Sequence, residues 1–217
     1  MCMLQQFLKI FLTILLVVDP AGLMPVFISL TGGMQGKRRG RVMRTALLAA
    51  FLILVFFIVV GAPLLGFLGI SPGAFYVSGG ALLFLVSVDM LYGKPRRSQV
   101  ESDPNEAGPP TDEASGPAIF PLAIPMLSGP GAITAVMLFM SGPADPLATG
   151  AMLIVSVALT LGLAAGAMTL SGWALKILGK TGILVLERIM GLLLAGLSVQ
   201  FAYEGLLRLG FVTAVRG

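Results

Sequence analysis

The sequence predicts an all-α polytopic membrane protein: six transmembrane helices in a 3+3 inverted-topology repeat, with helices one and four broken at mid-membrane. Three observations carry this. Of the 217 residues, 57% are hydrophobic and 11% charged, against about 45–50% and about 25% in a soluble domain. The apolar residues fall into six stretches, each reaching the ~20 residues a helix needs to cross a bilayer. The chain also resembles itself at a shift of 110 to 111 positions. A soluble enzyme or binding module is excluded, because a globule of this size needs more charge to cover its surface.

The stretches are 4–32, 45–67, 71–91, 117–141, 147–172 and 182–209. At ~1.5 Å per residue each spans a ~30 Å hydrocarbon core. Barrel strands are not expected, since polarity does not alternate at every second residue. The first stretch does not read as a cleaved signal peptide. It has no basic start, carries Lys9 inside and lacks a small-residue cleavage site.

Loop charge orients the helices. Lys37, Arg38, Arg39, Arg41, Arg44, Lys94, Arg96, Arg97, Lys176, Lys180 and Arg188 are 11 of the 14 basic residues, and they fall on one side. The positive-inside rule then puts both termini outside and the central loop in the cytoplasm. That loop, 93–116, is rich in Pro and Gly and carries Glu101, Asp103, Glu106, Asp112 and Glu113. It reads as a solvated acidic linker. It divides a first three-helix repeat, 1–92, from a second, 117–217.

Helices three and six match at a shift of 111: Gly80 with Gly191, Leu83 with Leu194, Ser87 with Ser198, Tyr92 with Tyr203. At 110, Pro20 falls on Pro130, Leu68-Gly69 on Leu178-Gly179 and Gly32 on Gly142. Three spans per half is an odd number, so the second half must insert upside down, a device of secondary transporters. Gly162, Gly166, Gly191 and Gly196 are expected to permit close helix packing. Trp173 and Tyr203 suit interface anchors.

Both breaks are written in proline. Helix one holds Asp19-Pro20-Ala21-Gly22-Leu23-Met24-Pro25, and helix four holds Ser128-Gly129-Pro130-Gly131 with Pro125 a turn earlier. Two prolines five apart should unwind a turn. Alone, each break could be a simple kink. Paired at matching depth, they can present half-helix N–H groups to an anion and free carbonyls to a cation. A re-entrant hairpin at each break stays open as an alternative.

Asp19 stands at the first break, where a carboxylate costs about 2.5–3.5 kcal/mol on insertion scales. It can cap the half-helix that Pro20 begins, and it can also bind a coupling ion, a proton or a substrate ammonium. The candidate substrate and ion site is Asp19, Pro20, Gly22, Pro25, Ser128, Gly129, Pro130, Gly131 and Thr134, with Asp89 and its repeat mate Gln200. Glu187, Arg188 and Glu204 read as interface residues of helix six. With no histidine and one cysteine, Cys2, enzyme chemistry and a metal centre are not expected. No cofactor is expected beyond a coupling H+ or Na+. The expected partners are the lipid bilayer and a small-molecule substrate, with no nucleic acid, and homo-oligomerisation is left open.

Four motifs in order resemble a known family. They are Asp19-Pro20-x-Gly22-x-x-Pro25-x-Phe27; Ser78-Gly79-Gly80-Ala81-Leu82-Leu83-Phe84 running to Asp89-Met90-Leu91; Pro121-Leu122-Ala123-Ile124-Pro125 with Ser128-Gly129-Pro130-Gly131-Ala132-Ile133; and Arg188-Ile189-Met190-Gly191-Leu192. These are similar to the MarC family, also called the neutral amino acid transporter family, of the LysE-like superfamily. The resemblance implies a six-helix inner-membrane protein that transports small neutral amino acids such as glycine and alanine. Many members carry asparagine after the glycine of the first motif, where this chain has Leu23. The competing reading is a membrane channel or a non-transporting structural membrane protein.

Overall fold

The computed structural model describes residues 3–32, 34, 36–92, 118–141 and 145–211. The linker expected at 93–116 lies outside the described residues. Those residues form only helices and turns. In order they are α1 (Met3–Val18), α2 (Pro20–Thr31), α3 (Gly36–Phe67), α4 (Pro72–Leu91), a π-helix (Ala118–Leu127) and α5 (Pro130–Met140). Then come α6 (Pro146–Gly179) and α7 (Thr181–Arg208).

Four helix starts, those of α2, α4, α5 and α6, follow one local code, a capping position followed by proline. Ser71 Oγ accepts from Ala74 N at 3.2 Å before Pro72, and Asp145 Oδ1 accepts from Ala148 N at 3.0 Å before Pro146. Asp19 and Gly129 hold the same place before Pro20 and Pro130. The joint between α6 and α7 is Gly179, at φ 65°. Gly69, 110 positions earlier and between α3 and α4, has φ 68°. Only glycine adopts that region without a Cβ penalty.

Five segments are long and apolar enough to cross a membrane: α1 with α2, α3, α4, α6 and α7. The sixth apolar stretch is divided between the π-helix and the 11-residue α5. α3 shows what surrounds the bundle. Ala46, Ala50, Leu54 and Ile58 are buried along one face, while Leu48, Leu52, Phe56 and Val59 are exposed along another. A helix apolar on both faces is matched to lipid.

α4 and α7 run antiparallel in glycine-mediated contact. A Cβ on Gly80 would lie 2.7 Å from Ser198 O and 2.8 Å from Ala202 N. A Cβ on Gly191 would lie 3.2 Å from Ser87 O and 3.3 Å from Leu91 N. Each contact is the other's counterpart at a shift of 111. Ser87 and Ser198 are both fully buried, and each hydroxyl bonds back to the carbonyl three residues earlier. By contrast, Cβ atoms on Gly162, Gly166 and Gly196 would meet nothing within 4 Å. The expectation that these three serve close packing is therefore corrected. Of that set, only Gly191 faces a neighbouring helix.

Candidate functional site

The first break is one residue wide. α1 ends at Val18, Asp19 takes the left-handed conformation (φ 50°, ψ 73°), and α2 begins at Pro20. Asp19 is the one non-glycine residue with positive φ among those described, a conformation that aspartate tolerates better than most residues. Hydrogen bonds continue across it, from Asp19 N to Leu15 O at 3.0 Å and from Leu23 N to Asp19 O at 3.3 Å. The expected unwound turn does not form. Pro20 falls at the first helical position, where no N–H is needed, and Pro25 is taken up inside α2 on an exposed face.

The segment also continues in one direction, which disfavours a hairpin there. Gln6 on α1 donates to Thr149 near the start of α6 at 3.3 Å. Beyond α2, Arg39 bonds to Met168 and Ser171 near the other end of α6. α1 and α2 thus run alongside most of α6.

The second break is different in kind. Pro121 and Pro125 supply no backbone donors, and the chain before the break winds as a π-helix. Ser128 closes it, its N and Oγ both donating to Ala123 O at 3.0 and 2.9 Å. Gly129 is extended and gives α5 no side-chain cap. The breaks are neighbours: a Cβ on Gly131 would stand 3.2 Å from Val17 Cγ1.

Asp19 is 4% exposed and its Oδ1 accepts from Gly22 N at 3.2 Å, so the capping role is present. Its carboxyl does not stand alone. A Cβ on Gly22 would collide with Asp19 Oδ2 and lie 3.2 Å from Glu187 Oε1 of α7. Two carboxyl groups from different helices therefore converge over one glycine at the start of α2. Glu187, which the sequence places at the membrane interface, instead faces Asp19 across Gly22, a correction to that expectation. Its signal was its spacing. It lies four residues before Gly191, hence on the same face of α7 as a packing glycine.

The remaining candidates divide. Ser128, Gly129 and Gly131 are buried around the second break. Pro20 is half-buried and Pro130 exposed. Thr134 turns its methyl group to Gly79 of α4, a packing contact. Asp89 and Gln200 are exposed and do not join the breaks. Each lies two residues past an inward serine, about 200° around the helix, so the packing that buries Ser87 and Ser198 turns them outward. Arg188 is exposed, and Glu204 pairs with Arg208 at 3.1 Å.

Replacing Gly22 by alanine is expected to push the two carboxyls apart. The amount of folded protein should be preserved, since the nearest atoms belong to the side chains of Asp19 and Glu187 and not to backbone.

Comparison with known sequences agrees with an integral membrane protein. The model of a family described as "MarC family integral membrane protein" matches residues 4–209. A UPF0056 membrane protein of Archaeoglobus fulgidus is 33% identical over 203 residues, covering 94% of this chain and 93% of that protein. One of Aquifex aeolicus is 36% identical over 200 residues, covering 92% of each. The UPF0056 inner membrane protein YhgN of Escherichia coli is 32% identical over 193 residues, covering 89% and 92%. No solved structure matches the chain.

Proposed function

The chain belongs to the MarC family of integral membrane proteins, and we propose that it is a secondary transporter for small neutral amino acids, glycine- or alanine-like, or similar small solutes. The observation that carries this reading is the convergence of the Asp19 and Glu187 carboxyls at one helix break, beside a second break that has no side-chain cap. The two ends are chemically opposite. The uncapped N-terminus of α5 suits a carboxylate. The carboxyl pair suits an ammonium, or a coupling H+ or Na+. A zwitterion has one group for each.

Alternating access would use two inverted halves, 1–92 and 117–217, joined by the linker 93–116. The reciprocal contacts of Gly80 and Gly191, and the mated caps at positions 19 and 129, support the inverted repeat. The loop charges support termini outside and the linker in the cytoplasm. The relative from Escherichia coli is named an inner membrane protein, which supports the same location here.

The test is reconstitution into proteoliposomes with labelled glycine, alanine and a broad amino-acid panel, under an imposed proton or sodium gradient. Saturable uptake with counterflow is expected. Non-saturating flux would favour a channel. No flux across the panel under either gradient would overturn the proposal.

A further inference from the structure

One side chain of α3 bridges the second half of the first span, α2, to α6. Among the residues whose side chains are described, Arg39 is the one basic residue that is not exposed. It lies in the first turn of α3 beside Lys37, Arg38 and Arg41, which all face outward. A cation is disfavoured at a helix N-terminus, so helix formation does not account for Arg39 being turned inward.

Its contacts reach two other helices. Arg39 Nη2 donates to Ser171 Oγ at 3.0 Å and to Met168 O at 3.2 Å, both on α6. The guanidinium lies over the ring of Phe27 on α2, 4.8 Å from its centroid. Both surfaces are prepared for it. Phe27 is 1% exposed and Ser171 fully buried. Ser171 Oγ donates to Met168 O at 2.7 Å, which leaves its lone pairs turned to the arginine. These partners are neutral, so among the described residues Arg39 is held without a countercharge.

α2 is also the segment with a joint at its upper end, the single left-handed residue Asp19. We propose that Arg39 is a latch: it closes the α3 end of the bundle by holding α2 against α6, and its release lets α2 swing about Asp19 to open the site to that face of the membrane. This rests on the transport reading for its purpose, though the closure itself is a property of the fold. At the opposite end Arg208 does comparable work. It lies 4.3 Å from the Tyr76 ring centroid, pairs with Glu204 and reaches Ser141 O at 3.4 Å. An ion pair within its own helix therefore anchors Arg208, and no such bond anchors Arg39.

The experiment uses a reporter cysteine. Cys2 is the one cysteine of the chain, so C2S leaves a clean background for Ala164→Cys. Ala164 is fully buried on α6, one turn from Met168 toward the break. The probe is a membrane-impermeant maleimide applied to right-side-out and inside-out vesicles. The parent should label slowly from both faces. Arg39→Gln should raise the rate about tenfold or more, within the span of measured coupling energies, and from one face only. Ser171→Ala, which keeps the charge and removes one acceptor, should give a smaller rise from the same face.

Unchanged labelling in both variants, an equal rise from both faces, or fast labelling of the parent would each overturn the latch. Transport is measured on the same vesicles. Transport with unchanged labelling removes the latch and leaves the transporter. One-sided labelling without transport leaves the closure and removes the transporter.

Discussion

Asp19→Asn is expected to abolish gradient-driven transport while leaving the protein folded. Asparagine is as good an N-cap as aspartate and tolerates the left-handed region. The backbone at the break and the bond to Gly22 N therefore survive the change. Only the charge and the titratable proton are lost. Uphill accumulation in proteoliposomes should drop by roughly two orders of magnitude, about 2.7 kcal/mol in a rate, while the thermal transition in detergent moves little. Exchange without a gradient should fall less than accumulation. Glu187→Gln should act in the same direction. If the two carboxyls work as a unit, the double variant should be scarcely worse than either single one. Unchanged accumulation in Asp19→Asn would remove this residue from the coupling machinery. Asp19→Ala is the poorer experiment, since it also deletes the cap and leaves alanine at positive φ.

Gly80→Ala is expected to produce the largest loss of stability from one methyl group. The added Cβ would meet Ser198 O at 2.7 Å and Ala202 N at 2.8 Å. Both are backbone atoms of α7, so no rotamer change relieves the overlap and the helices must separate. Overpacking of this kind costs about 1–3 kcal/mol, or a midpoint about 2–4 °C lower per kcal/mol for a chain this size. Gly205→Ala should behave alike, since its Cβ would meet Val77 N at 2.7 Å and Gly73 O at 2.8 Å. Gly196→Ala is the matched control on the same helix. It meets nothing within 4 Å and should be neutral or gain up to ~1 kcal/mol from helix propensity. Thermal unfolding in one detergent would separate the two classes, and equal midpoints would refute the packing account.

Much of the fold is legible in the sequence because it rests on local chemistry. The apolar stretches mark the spans, and each cap followed by proline marks a helix start. What sequence does not supply is rotation about the helix axis. Asp89 and Gln200 lie 111 positions apart and are both polar, yet both point outward, because the α4–α7 contact is set by backbone approach at glycines. Glu187 lies near the start of an apolar stretch, where an interface residue is the ordinary expectation. Only the tertiary contact at Gly22 brings it to Asp19. The first break is also narrower than its prolines suggest. Proline spacing suggests an unwound turn, but a single left-handed aspartate places Pro20 where it costs nothing.

The α4–α7 contact carries one more consequence. Position 80 meets 198 and 191 meets 87, which is the rule of an isologous interface between two identical subunits. On the inverted-repeat reading proposed above, such a self-complementary surface could arise before the chain is doubled, in a three-helix precursor that pairs with a copy of itself inserted the other way up. Fusion would then have freed the two copies to diverge. The present asymmetry, a carboxylate at position 19 and a bare glycine at 129, is what such a symmetric ancestor could not have possessed.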